Sequence, residues 1–392
     1  MKLSLYIDVN YESLNKYKEE LCGDKVEIIR SSDSVIVVLA DGLGSGVKAN
    51  ILATLTSKII GTIMSNGLDI DDAVNTIAST LPVCKERGIA YSTFSIIQIF
   101  NNGEGYLVEF DSPSIMRLRK GKLLKIDTQS RVLSGKLINE ARFTVSPDDM
   151  FVMISDGVIH AGIGQTLNLG WQWGNVGEYI QKTYKKDSSS KTVTKLLLAA
   201  CDSLYAHEPG DDTTVVALRA KKPVKLNLMI GPPIDSKNDV EIVSRFMKRE
   251  GKKVICGGTT SQIVSRVLKK EIKTSIEYFN PSVPPTAVIE GINLTTEGVL
   301  TLRKTLELLK NCVSQESTMS DFLMLDKKDG ASKLAKMFLE ESTSIYIFVG
   351  QAINPAHQNP EFPLNMGLKF KLVEEIAAIL KQAGKHISIE YC

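Results

Sequence analysis

The chain has 392 residues, which at about 100–200 residues per domain predicts two or three domains. Lys and Arg number 47 against 45 Asp and Glu, a net charge of +2, without the basic excess of a general nucleic-acid binder. No apolar run reaches the ~18–20 residues of a membrane span. The opening MKLSLYIDVN has no apolar leader, and Cys22, Cys84, Cys201, Cys256, Cys312 and Cys392 form no CxxC pair. The expectation is a reduced, cytoplasmic protein with no disulfide framework, no zinc ribbon, no nucleic-acid partner and no membrane contact.

In chain order, Leu3–Val9, Val26–Ile29 and Val35–Ala40 read as strands. Val47, Ile51, Leu52, Leu55, Ile59 and Ile63 recur at spacings of three and four, predicting one apolar helical face that ends at Asn66-Gly67. A second helix over Ile70–Ser79 precedes Pro82. Thr93–Phe100 and Gly105–Phe110 flank Asn102-Gly103, and Ser114–Arg119 and Leu123–Asp127 flank Lys120-Gly121-Lys122, two hairpin signals. Arg142–Val145, Met150–Ser155 and Thr213–Arg219 read as further strands, with helices near Val176–Tyr184 and Thr192–Tyr205. Hairpin-paired strands with helices set aside in pairs predict an antiparallel α+β domain.

After Ala220-Lys221-Lys222-Pro223 the rhythm becomes strict alternation. Strands near Val224–Ile230, Lys253–Cys256, Ala287–Glu290, Ser344–Val349 and Ser388–Tyr391 are separated by helices near Asp239–Arg249, Ser261–Lys269, Glu297–Leu309, Ala331–Glu341 and Lys369–Gln382. This predicts a doubly wound α/β domain with a parallel sheet. The expected domains are 1–221 and 222–392.

Val35–Gly46 (VIVVLADGLGSG) delivers Asp41 at the end of an apolar strand, before a Gly-rich turn that opens a helix. A dinucleotide loop would need glycine at position 47, where Val stands, and the P-loop pattern also fails. Carboxylate oxygens suit a hard divalent cation. The same device recurs in Phe151–Gly157 (FVMISDG) with Asp156, in Gly210–Val216 (GDDTTVV) with Asp211 and Asp212, and in Gly23-Asp24. Each alone also reads as an ordinary Asp-Gly or acidic turn. Gathered at the ends of apolar strands, the carboxylates would repel one another unless cations lay between them.

The order Gly23-Asp24, Ala40-Asp41-Gly42-Leu43-Gly44-Ser45-Gly46, Ser155-Asp156-Gly157, Asp211-Asp212-Thr213-Thr214 resembles the metal-dependent protein phosphatases (PPM, type 2C), and among them the stage II sporulation protein E branch. The resemblance covers roughly residues 1–220. It implies a β-sandwich flanked by helix pairs and hydrolysis of phosphoserine or phosphothreonine in a phosphoprotein substrate with two Mn²⁺ or Mg²⁺ ions. Asp41 would bridge both ions, with the Gly42 carbonyl as a further ligand. Asp24 would act mainly through water, Asp156 and Asp211 would complete the second position, and Asp212 would stand beside them. Many relatives carry an Arg five residues before the first Asp; here that place is Glu19, and Lys18 or Lys25 could substitute for it or stay solvated. His160 is the candidate proton shuttle. The helices after Asp41 read either as a regulatory element or as plain cover for the sandwich.

In the second domain, Gly257, Gly258, Thr259, Thr260 and Ser261 open a helix after a strand, which reads as an anion site or as a plain capped turn. The loops 231–236 and Gly350–Pro363 share its sheet edge. A small anionic effector is the expected ligand. The alternative to an enzyme is a low-activity signalling module in which this domain senses such a ligand or docks a partner, and a nucleotide-binding α/β enzyme in the last third is a further alternative.

Overall fold

β-branched runs punctuated by tight turns build the first half of the chain into two stacked antiparallel sheets. The computed structural model describes residues 4–80, 92–185, 188–274, 282–314, 317, 319–352 and 364–392. It divides into two units, Met1–Lys222 and Pro223–Cys392.

In the first unit one sheet runs in the order β2 (Asp24–Arg30), β3 (Ser34–Gly42), β4 (Ser92–Phe100), β5 (Glu104–Phe110), β9 (Lys136–Thr144), β8 (Gln129–Leu133). The other runs β1 (Tyr6–Leu14), β11 (Thr213–Lys221), β10 (Met150–Ile154), β6 (Met116–Arg119), β7 (Lys122–Leu124). The period of two decides the layering. Val35, Val37 and Leu39 of β3 face the second sheet, where they meet Phe151, Met153, Val216 and Leu218. Ile36, Val38 and Ala40 face the other way, onto α1 (Gly46–Ser65) and α2 (Ile70–Thr80). Beyond the second sheet, Met150, Val152 and Ile154 pack on α4 (Trp173–Thr183) and α5 (Ser190–Leu204). The result is a helix–sheet–sheet–helix sandwich.

Two expectations change here. Helix α1 buries the predicted face only in part: Ile59 and Ile63 pack against the core, but Val47, Ile51 and Leu55 are 60%, 51% and 44% exposed. The inward residues are Ala49, Ala53, Thr56, Ser57, Ile60, Gly61 and Met64. Small side chains let the helix lie close on β2 and β3; a Cβ on Gly61 would fall 2.4 Å from Ile29 Cδ1. The hairpin β8–β9 was also not expected beyond Arg142–Val145. Its turn is Ser134-Gly135, both at positive φ (49° and 75°), which suits a two-residue hairpin. Val132 on the edge strand β8 and Leu137 on β9 are both exposed, which hides the alternation.

The second unit has five parallel strands in the order β16 (Leu294–Thr296), β13 (Lys252–Cys256), β12 (Lys225–Ile230), β17 (Ser344–Val349), β18 (His386–Tyr391). Helices α6 (Asp239–Lys248) and α7 (Gly258–Leu268) cover one face against Met229, Ile255 and Phe348. On the other face α8 (Val299–Val313), α10 (Gly330–Leu339) and α11 (Leu364–Gln382) meet Leu228, Val254 and Ile347, with α9 (Met319–Leu323) between α8 and α10. The domain is doubly wound, but its sheet is mixed rather than all parallel. The expected strand near Ala287–Glu290 is only β15 (Ala287–Val288), antiparallel both to β16 and to the edge strand β14 (Lys273–Thr274). Beside β12, the other parallel neighbour of β13 is the three-residue β16, too short to stand out by pattern. Among the described residues, no helix is long and apolar enough to cross a membrane.

Asp149, fully buried ahead of β10, takes Arg117 Nη2 at 2.7 Å, Arg119 Nε at 2.7 Å and the Ser146 N–H at 3.0 Å. Burial opposes its charge, but Arg119, the Ser146 N–H and Arg117 together hold its carboxyl below the usual range. Asp149→Ala strands the buried Arg117 and should cost about 3–5 kcal/mol in urea unfolding. A depressed folded-state pKa gives stability that is present above the unfolded value of ~3.9 and lost as pH falls through the folded one. The difference between parent and variant should therefore shrink only in strong acid. A loss near zero at pH 7 would contradict the role assigned to this pair.

Candidate metal centre

Antiparallel pairing sets the first residue of β2 against the end of β3, so Asp24 lies directly opposite Asp41. The chain then turns sharply. The Gly42 N–H donates to the Gly23 carbonyl at 3.1 Å, and a Cβ on Gly42 would lie 2.1 Å from the Ala49 carbonyl oxygen. Only glycine lets α1 begin this close to the strand it follows. From the second sheet, β10 leads into Ser155, and Asp156 opens the short helix α3 (Asp156–His160). The Ser155 N–H donates to the Thr214 carbonyl at 3.0 Å, and the Thr214 N–H donates to Ser155 Oγ at 2.8 Å. That exchange ties Asp156 to the Asp211-Asp212 turn ahead of β11. A Cβ on Gly157 would fall 2.2 Å from the Asp212 carbonyl oxygen, so this position also requires glycine. The Tyr205 hydroxyl holds the Gly157 carbonyl at 2.7 Å.

The two sheets thus bring their acidic ends to one place. Burial, and then the charges of Asp24, Asp156 and Asp211, push the Asp41 carboxyl up to about 9. Asp24 is pushed up to about 7, first by burial. The Thr214 and Ser155 hydroxyls beside it offset part of that, whereas Asp212 and Asp156 add to it. Neither Asp24 oxygen has a hydrogen-bond partner of normal geometry, and Asp212 Oδ2 is buried and unpartnered as well. Asp211 is raised by burial and by Asp156, with Lys16 opposing. Asp211 therefore belongs to the group around Asp41, while Asp212 faces Asp24 and Cys22.

Buried orphan oxygens call for a partner that the protein itself does not supply. An all-oxygen donor set fits a hard divalent cation in kind. Among the described residues, however, no three His, Cys, Asp or Glu side chains are gathered as tightly as a bound ion requires. The neighbours are legible too. Glu19 accepts from Ser45 Oγ at 3.1 Å and lies against Gly46, so it braces the turn after Asp41. His160 Nδ1 is 4.0 Å from Asp156 Oδ2, both half-exposed. Lys18 lies over the Tyr17 ring, and Lys25 sits on β2 opposite Ala40. The residue that the sequence reading missed is Lys16, with Nζ 4.0 Å from Asp211 Oδ1. Its only sequence signal is its place in the turn after β1.

In the second unit, α7 opens directly after β13 at Gly258, where the sequence placed its anion site. Thr260 and Ser261 are buried, and Ser261 Oγ donates back to the Gly257 carbonyl at 2.8 Å. The Ser261 hydroxyl is therefore engaged at its own turn, beside Gly257, Gly258 and Thr259. In the loop 231–236, Asp235 caps a short turn by accepting from the Lys237 N–H. Of Gly350–Pro363, residues 353–363 lie outside the described residues, and His357 with them.

Residues 31–221 match the family model described as Stage II sporulation protein E (SpoIIE). Over that span the first unit is similar to this family. Asp41, Asp156, Asp211 and Asp212 fall inside the matched span, and Asp24 precedes it. The chain is similar to the PP2C phosphatase domain and regulatory-domain fragment of SpoIIE from Bacillus subtilis, at 19% identity and a TM-score of 0.48. That match covers 56% of this chain and 64% of the other, less than two thirds of its length. The RsbU and RsbW domains of Rv1364c from Mycobacterium tuberculosis are 14% identical over 62% of this chain and 69% of theirs, with a TM-score of 0.48. RsbX in complex with magnesium is 18% identical over 55% of this chain and 96% of its own, with a TM-score of 0.41. No curated protein matches the chain.

The raised carboxyls of Asp24 and Asp41 set a pH dependence. Their folded-state values, about 7 and about 9, lie above the unfolded value of ~3.9, so the folded protein binds more protons. In EDTA, the stability these two groups contribute should be fully present below that unfolded value and be lost as pH rises through 7 and 9. Thermal midpoints measured in EDTA at pH 6 and pH 9 should differ in that sense, and Asp41→Asn should narrow the gap. Equal midpoints in the parent would contradict the burial of these charges.

Proposed function

We propose that residues 1–221 form a serine/threonine phosphoprotein phosphatase domain that works with two divalent cations, Mn²⁺ or Mg²⁺. The observation that supports it is the unpartnered, buried Asp24 carboxylate grouped with Asp41, Asp156 and Asp211 at the meeting of two sheets. In this reading Asp41 and the Gly42 carbonyl would hold the ions, with Asp24 helping largely through water. Asp156 and Asp211 hold the second ion, and Asp212 fixes the turn from beside them. Bound there, such ions would supply Lewis acidity toward a water and toward the phosphoryl oxygens.

The side chains do the rest. No thiol nucleophile is needed, and Cys22 is unsuited to be one: burial, then Asp24 and Asp212, push its thiol up to about 12, leaving it protonated at neutral pH. His160, beside Asp156 and half-exposed, is placed to hand a proton to the departing serine or threonine oxygen. The substrate is a regulatory phosphoprotein in the cytoplasm, and the chain takes part in signalling.

Hydrolysis of p-nitrophenyl phosphate by the full chain tests this. Activity should require Mn²⁺ or Mg²⁺, stop with EDTA and survive iodoacetamide. Asp41→Asn, Asp156→Asn and Asp211→Asn should each lower kcat by about 100-fold or more, the scale of losing a preorganised electrostatic group. Asp212→Asn should cost less. Activity that persists in EDTA but is lost on alkylation would overturn the mechanism.

A further inference from the structure

Resting on that reading, we propose that Lys16 is the side chain that grips the substrate phosphate. Six carboxylates stand around the site: Asp24, Asp41, Asp156, Asp211 and Asp212, with Glu19 against the Ser45-Gly46 turn. Two divalent ions offset four of those charges, so the loaded site keeps a negative excess before a phosphate dianion approaches. A cation at the rim would offset part of that excess where the phosphate sits. Among the described residues, the side chains ion-paired with these carboxylates are Lys16 and His160. A lysine keeps its charge at neutral pH, whereas a histidine does so only in part.

Placement supports the role. The Lys16 N–H donates to Asp212 Oδ1 at 3.0 Å, and the Tyr17 N–H donates to the Pro209 carbonyl at 2.8 Å. The backbone at Lys16 is thereby fixed to the turn that carries Asp211 and Asp212. The ammonium is not fixed. Its contact with Asp211 is 4.0 Å long with both side chains nearly two-fifths exposed, and such a pair is weakly held. A four-carbon stem on an anchored backbone lets the charge swing from Asp211 to a phosphoryl oxygen, where lysine acts as a point charge. Glu19 and Lys16 thus divide two tasks: Glu19 braces the Asp41 turn, and Lys16 receives the anion.

The test uses the full chain in Mn²⁺, with Lys16→Met, Lys16→Gln and Lys16→Arg. The readouts are KM and kcat on p-nitrophenyl phosphate, competitive inhibition by inorganic phosphate, and Mn²⁺ affinity by calorimetry. Lys16→Met and Lys16→Gln should raise KM and the phosphate inhibition constant by about tenfold or more, the scale of one charge-assisted contact. They should leave kcat within about threefold and Mn²⁺ affinity unchanged or tighter, and Lys16→Arg should recover most of the loss. An unchanged phosphate constant overturns the proposal, and so does a KM rise matched by lost Mn²⁺ affinity. If the parent turns over no substrate, the phosphatase reading fails separately. Calorimetric binding of inorganic phosphate to the Mn²⁺-loaded parent and Lys16→Met then decides the role of Lys16, and equal or absent binding overturns it.

Discussion

Asp24 is a carboxylate buried on a strand end with no hydrogen-bond partner, facing a second carboxylate across the β2–β3 pair. Burying an unpaired charge is among the costliest arrangements a fold can hold. It persists here because β3 is locked from both faces. Val35, Val37 and Leu39 are fixed by the opposite sheet, and Ile36, Val38 and Ala40 by the helices. A strand held that firmly cannot slide to relieve the repulsion between its last residues and those of its neighbour. The core therefore sustains an acidic site that it could not form by local preference.

The second constraint is steric. Gly42 and Gly157 are the points where helix backbone touches strand or turn backbone, and neither leaves room for a Cβ. Each follows an Asp directly. The Asp-Gly repetition seen in the sequence is thus two requirements side by side, a carboxylate to present and a glycine that lets the next helix start at once. Ser155 and Thr214 then join the two turns by reciprocal hydrogen bonds, so Asp156 and Asp211 cannot move apart independently. Site geometry and sandwich packing are one problem here, solved at the same residues.

Much of this was legible because the acids end long apolar strands whose alternation is strong. The strands around Asp41, Asp156 and Thr213 and the turns at Asn102-Gly103 and Gly121 are where the pattern places them. The apolar face of α1 misled for a physical reason. Periodicity records which residues are apolar, whereas close packing on β2 and β3 selected small ones, and Val47, Ile51 and Leu55 were left outside. Lys16 was invisible because its role depends on a contact with Asp211, 195 positions away along the chain. In the second unit β16 is three residues long, and the Ser261 hydroxyl, whose direction no sequence pattern reveals, bonds to its own turn.

The central claim is that the acidic ends of two sheets form one two-ion centre around Asp41. Anomalous diffraction at the manganese edge, from crystals of the full chain soaked in Mn²⁺, addresses it directly. The account predicts two peaks about 3.5–4 Å apart, both within ligand distance of Asp41 and one of them contacting Asp156 and Asp211. No peak at saturating Mn²⁺, or peaks remote from Asp41, would contradict it.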